Sequence, residues 1–209
     1  MRQWGLNGPI FVCVVPAHLR LQIAQEAARI VCEDLLTDYR LAKQKAAERL
    51  GLGPKAPLPD NATVHGAVLD HLRLFGGDAY PLRLLRLRRT AIKAMRQLAS
   101  FEPRLVGAVI SGAVTEAHRI QLHAFSERAE SVELALQNTG IDCEQGDRSY
   151  RYPDGCEVEI PLVSFEADDT GIDVAVFESG TEHERPINPL DGQPFKRLNI
   201  QEVQALLNQ

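Results

Sequence analysis

The chain has 209 residues, 44% of them hydrophobic and 24% charged, the balance of an ordinary globular protein of one large domain or of one domain with a sizeable appendage. No stretch reaches the roughly 18 consecutive apolar residues of a membrane-spanning helix, so no membrane partner is expected. The net charge of −5 conceals a split: residues 1–100 carry 15 Lys and Arg against 8 Asp and Glu, whereas residues 101–209 carry 8 against 20. Such a split suggests two segments that attract each other, or a basic face that meets an acidic partner.

The chain begins with an apolar run, Pro9 to Val15, which lacks the basic start and small-residue cleavage site of a secretory signal and reads as a first strand or an upstream extension. Ala17 to Leu36 then places Leu19, Ile23, Ala27, Ile30 and Val31 at helical spacing. Thr37-Asp38 offers a cap for a second helix, Tyr39 to Leu50, which stops at Gly51. The three prolines and two glycines between Gly51 and Asn61 make a loop. Asp60 or Asn61 can cap a third helix through Phe75, closed by Gly76-Gly77-Asp78, and Pro81 suits the first turn of a fourth that runs to about Ser100.

Beyond residue 100 the pattern changes to α/β. Strands are expected near 105–110 and 119–125, then an amphipathic helix opened by Ser126 with Glu130 and ended by Gly140. Short strands follow at 141–144 and 148–152, the turn Pro153-Asp154-Gly155, and strands at 156–165 and 171–177. A proline-rich stretch, Pro186 to Pro194, leads to a last helix capped by Asn199. The expected class is α+β, with a helical region over 1–100 packed on a small mixed sheet over 101–209. The four cysteines, Cys13, Cys32, Cys143 and Cys156, form no CxxC motif. They read as free thiols in a reducing cytoplasm rather than as zinc ligands or a redox pair.

The chemically suggestive stretch is Gly107 to Phe125: an apolar strand, a sharp Ser111-Gly112 corner, then a strand that alternates polar and apolar side chains. Together with Gly171-Ile172-Asp173-Val174-Ala175-Val176-Phe177, the region 105–177 resembles the polymerase-beta-like nucleotidyltransferase superfamily. That resemblance implies a strand–Gly/Ser turn–strand unit whose second strand carries an Asp-x-Asp pair, with a third carboxylate on a neighbouring strand where this chain has Asp173. A broader resemblance, over residues 20 to 207, is to a group of uncharacterised bacterial nucleotidyltransferase-like proteins. It rests on Asp38-Tyr39-Arg40-Leu41-Ala42-Lys43 with Lys45-Ala46-Ala47-Glu48-Arg49-Leu50, then Leu58-Pro59-Asp60-Asn61, Leu122-His123-Ala124-Phe125 and Pro189-Leu190-Asp191-Gly192.

In this chain the Asp-x-Asp positions read Arg119-Ile120-Gln121. Alternate residues of a strand point to one face, which is how two aspartates grip a pair of hard cations. A guanidinium repels such ions and a carboxamide offers only a weak neutral oxygen. The expectation is therefore a degenerate, non-catalytic protein without a metal site, which binds a nucleotide or a protein partner. The alternative is an active nucleotidyltransferase with an unusual site of Ser111, Gly112, Gln121, His123 and Asp173, using magnesium and a nucleoside triphosphate. His123, expected on the polar strand face beside Gln121, is the best single candidate for a general acid or base. His118, five residues earlier, does not share one strand face with it, which argues against a metal pair. Arg86, Arg89, Lys93 and Arg96 recur at spacings of three and four and form one basic stripe. The stripe is a seat for the acidic half, a solvated face, or a phosphate-binding face, which makes a nucleic-acid-associated module the second alternative.

Overall fold

The computed structural model describes residues 16–208; the apolar run before Pro16, with Cys13, lies outside them. Helix α1 spans Pro16–Glu33. Its inner stripe of Ile23, Ala24, Ala27, Ile30 and Val31 is wholly buried, and each large aliphatic side chain there contributes roughly 1.5–3 kcal/mol of transfer free energy. The helix stops short of Leu36 because Leu35 turns into the left-handed region at φ 56°. Helix α2, Tyr39–Arg49, is capped by Asp38, whose Oδ1 accepts the backbone N–H groups of Arg40 and Leu41 at 2.8 and 3.1 Å. Its buried residues are all alanine, which lets it lie close against its neighbours. Helix α3, Asn61–Phe75, is capped by Asp60 through the N–H of Thr63. Helices α1 to α3 share one hydrophobic cluster.

Helix α4, Ala79–Gln97, belongs to the other half of the core. Its Leu87, Ala91, Ala94 and Met95 pack in the cluster that contains the sheet. A short 3₁₀ turn, Ala99–Phe101, leads to strand β1, Arg104–Val106. This strand is half as long as expected, and the cause is Gly107. Its φ of 77° with ψ of −150° is a conformation that side chains other than glycine resist. The chain then forms a one-turn helix α5, Ala108–Ser111, instead of continuing extended.

Strand β2, Ile120–Phe125, runs antiparallel to β1 and parallel to β5, Thr170–Phe177. Between them in sequence come helix α6, Ala129–Gln137, and the hairpin of β3, Glu144–Arg151, with β4, Glu157–Ala167. The sheet order is β1-β2-β5-β4-β3. The fold is α+β, as the sequence indicates.

Two local expectations change. The region 141–152 holds one strand rather than two, because all of Glu144 to Arg151 pairs with β4 across the turn at Gly155. Helix α6 begins at Ala129, since Ser126 bonds the backbone of Arg128 instead of capping the helix. Helix α7, Ile200–Ala205, opens with the expected Asn199 cap, completed by Glu202 into a reciprocal capping box.

The sheet has two unlike faces. Ile120, Leu122 and Ala124 of β2 and Ile172, Val174 and Val176 of β5 pack with α4, α6 and α7. The opposite face carries Gln121, His123 and Phe125 beside Asp173, Ala175 and Phe177, in register. Tyr150 of β3 and Ile160 of β4 continue this face, and Phe195 packs against its far end. The candidate site lies at its near end.

Candidate functional site

Gln121 and Asp173 are Cα partners on the two parallel central strands. Arg119, just before β2, swings onto the same carboxylate: its Nε donates to Asp173 Oδ1 at 2.8 Å. Arg148 of β3 donates to Oδ2 at 2.9 Å, and Ser164 of β4 donates to Oδ1 at 3.0 Å. Burial by itself would raise the Asp173 carboxyl, but the donors from Arg119, Ser164 and Arg148 outweigh it and hold the group below its usual range. The guanidinium of Arg119 lies directly over Gly171, where a Cβ would run into it. Glycine at that position makes room for the ion pair. A divalent cation at this carboxylate would have to displace two guanidiniums. Among the described residues, no three His, Cys, Asp or Glu side chains gather into a metal-binding group.

Ser111 and Gly112 do not form the corner between strands; Gly107 does. Ser111 ends α5, with its hydroxyl donating to the Ala108 carbonyl at 3.1 Å. Gly112 is the left-handed cap of that helix, and its carbonyl accepts the Tyr80 hydroxyl at 2.9 Å. The Gln121 carboxamide folds back toward Gly107, where a Cβ would sit 2.8 Å from its Oε1. Gly107, Ser111 and Gln121 thus border one space, while Asp173 is sealed beside it.

His123 is not on a polar face. It is fully buried, edge-on to Tyr150 and Phe195 and tilted against Phe177, and its Nδ1 accepts the Nε–H of Arg197 at 3.0 Å. Burial first, then Arg197 and Arg148, push its pKa well below the ordinary imidazole value. Arg197 itself lies over the rings of Phe125 and Phe177, with Nη1 held by the carbonyls of Glu182 and Glu184. This pair ties the C-terminal segment to the sheet. The alternation of HRIQLHAF gave no sign of it, because the cover comes from residues 150 and 195–197, far away in sequence.

The open space is a cleft of about 600 Å³ between the helical half and the sheet. One wall is the start of α2, with Tyr39 and Arg40; another is α3, with Asn61 and His65. The floor is α5, His118 and Gln121, and the rim carries Asp191 and Lys196. Residues 38–40, Asn61 and 189–191, distant from one another in the chain, therefore meet here. Tyr39, His65 and His118 were not singled out as binding residues from sequence. Their signal was weak, since each sits alone among helical or loop residues.

In the cleft the Tyr39 hydroxyl bonds His65 Nδ1 at 3.0 Å. The Thr115 N–H donates to His118 Nδ1, also at 3.0 Å. Burial, reinforced by His65, lowers the His118 pKa to about 4. Arg40 and Lys43 part company: Arg40 lines the cleft, while Lys43 donates to Asn61 Oδ1 and the Pro59 carbonyl and fixes the loop before α3.

The basic stripe is on the surface. Arg86, Arg89, Lys93 and Arg96 are all exposed. Lys93 is bound to Asp168 at 2.7 Å, and no described acid bridges the other three. Arg83 pairs with Glu116, and Arg88 turns inward to the carbonyls of Val109, Ile110 and Leu206. The attraction between the two halves thus runs through a few contacts, and most of the stripe faces solvent. No protein-family model matches the chain, and neither a curated protein nor a solved structure matches it.

Proposed function

We propose that the protein is a non-catalytic binding protein on a nucleotidyltransferase-like scaffold, and that it holds a nucleotide or a partner in the cleft between α2, α3 and α5. Arg119 carries this reading. A guanidinium occupies the position where the resemblance implies the first aspartate, and it is bonded to the acid that would be the third. Metal-assisted phosphoryl transfer needs carboxylate oxygens free to bind cations. Both oxygens of Asp173 are engaged by Arg119, Arg148 and Ser164. Calorimetric titration with magnesium and manganese, with and without ATP, is expected to give no stoichiometric metal site. A micromolar site that Asp173→Ala removes would overturn the reading.

A second reading rests on the exposure of Arg86, Arg89 and Arg96, which favours a phosphate-binding face for nucleic acid on α4. Neutralising three phosphates gives a salt slope of about −2.7 in log K against log salt on duplex DNA. A filter-binding series with a duplex should show binding at 50 mM salt that fades steeply by 200 mM, and Arg86→Ala with Arg89→Ala should flatten the slope. No binding at 50 mM salt removes this reading.

A further inference from the structure

The charged groups of the cleft stand at its edge and its interior is neutral. Arg40, Lys196, Asp38 and Asp191 are all exposed, two of each sign. Two of them are already employed: Asp38 caps α2, and Asp191 Oδ1 accepts the N–H of Gln193 at 3.0 Å. The half-buried polar groups are Tyr39, Asn61, His65, His118, Gln121 and Asn188, none of which carries a fixed charge. A triphosphate brings about four negative charges, and a site that binds it answers them with cations or a helix N-terminus. Here the N-termini of α2 and α3 at the cleft are taken up by the Asp38 and Asp60 carboxylates, and α5 is a single turn.

The two imidazoles define what the interior can recognise. A backbone N–H is a donor only, so the bond from Thr115 fixes His118 Nδ1 as an acceptor and puts the ring proton on Nε2. His118 therefore offers one N–H donor of settled identity. His65 has its Nδ1 on the Tyr39 hydroxyl, which can donate or accept, so its Nε2 is free to serve in either role. With the carboxamide of Gln121, the interior presents neighbouring donors and acceptors without charge, and Phe195 and Tyr39 add aromatic surface to the lining. That combination matches the edge of a nucleobase, which alternates donors and acceptors on a flat ring.

We infer that the cleft takes a nucleobase or nucleoside through the His65 and His118 imidazoles, and that it discriminates against the triphosphate. The inference rests on the proposed binding role and specifies its ligand. It departs from the ligand that the resemblance implies.

The test is calorimetric titration of the whole chain with adenosine, guanosine, cytidine and uridine, each beside its own triphosphate with and without magnesium. One nucleoside is expected to bind, and its triphosphate to bind at least tenfold more weakly. Ser111→Trp, a substitution at an exposed residue of the cleft floor, should abolish the binding, and His118→Phe should weaken it at least tenfold. Arg40→Ala with Lys196→Ala, at the edge of the cleft, should weaken nucleoside binding less than His118→Phe does. Melting curves identify any variant that has failed to fold, and Ser111→Trp then decides if His118→Phe has. A triphosphate that binds more tightly than its nucleoside overturns this inference and leaves the binding role standing. So does loss of nucleoside binding in the Arg40, Lys196 double variant, which would reveal a charged clamp. If neither nucleosides nor nucleotides bind at millimolar concentration, the inference fails, and so does the nucleotide-binding form of the proposed function.

Discussion

In chelator, the double variant Arg119→Asp, Gln121→Asp is expected to melt on the order of 10 °C below the parent, and magnesium or manganese should restore most of the difference. Gln121 lies opposite Asp173 in the parallel register of β2 and β5, and Arg119 already reaches that carboxylate. Two new acids there leave three carboxylates around one point. Removing one partner of a largely buried charge costs roughly 3–5 kcal/mol. Arg119 is part-exposed, so the lower end of that range is the relevant one, and Arg148 and Ser164 still hold Asp173. For a domain of this size, each kcal/mol shifts the melting temperature by about 2–4 °C.

The same substitution creates a metal site. Without Arg119, the Oδ1 of Asp173 loses its ionic partner and faces the two introduced carboxylates. A cation at a hundred times its dissociation constant then returns about 2.7 kcal/mol. The parent, with two guanidiniums on Asp173, should show no such dependence. Thermal melts in chelator and in millimolar manganese decide the matter. If the variant melts at the same temperature in both, the three positions do not share one ion, and the correspondence with the nucleotidyltransferase carboxylates is wrong.

Acid should destabilise the protein well before its carboxylates titrate. His118 and His123 are both neutral in the folded state, with pKa values lowered chiefly by burial, His118 to about 4 and His123 well below the ordinary value. In the unfolded chain both return to about 6.5. Between those limits the unfolded state binds more protons than the folded one, so stability is complete above pH 6.5 and is lost as pH falls below it. The slope approaches roughly 1.4 kcal/mol per pH unit for each histidine, and His118 alone is worth about 3 kcal/mol once pH reaches its folded value. Asp173 acts in the same direction, but its contribution is lost only as pH falls through the usual carboxylate range, where the unfolded carboxyl takes up its proton first.

Urea unfolding at pH 7.5, 6.5, 5.5 and 4.5 measures this loss. Asparagine keeps an acceptor where each imidazole uses Nδ1, toward Thr115 in one case and Arg197 in the other. His118→Asn with His123→Asn should therefore flatten the profile between pH 6.5 and 4.5, even though its stability at pH 7.5 is lower for lost packing. A parent whose stability does not change over that interval would show that these rings are not held neutral by the fold. A double variant that falls as steeply as the parent would assign the loss to other groups.

Much of the architecture follows from local physics. The stripe of Ile23, Ala27, Ile30 and Val31 specifies a buried helix because side chains at that spacing share one face. Asp38, Asp60 and Asn199 mark helix starts because their oxygens accept the first free N–H groups. The Pro153-Asp154-Gly155 turn requires a hairpin, and the change of pattern near residue 100 indicates a sheet after helices. That positions 119 and 121 offer no carboxylate is equally a matter of sequence, since no packing can turn Arg119 and Gln121 into acids.

What the tertiary structure decided depends on partners distant in the chain. Strand β1 ends early because Gly107 adopts a positive φ, which a glycine permits but does not announce. His123 has the alternation of a surface position, yet it is sealed by Tyr150, Phe195 and Arg197, which arrive from a hairpin and from the C-terminal segment. Asp173 reads as an isolated acid until Arg119 and Arg148 are brought to it by the pairing of β2 with β5 and of β3 with β4. The cleft is assembled from residues as far apart as Tyr39 and Lys196. Helical and strand periodicity report which face of an element is buried; they carry no information about which other element buries it, and a binding site is made of those pairings.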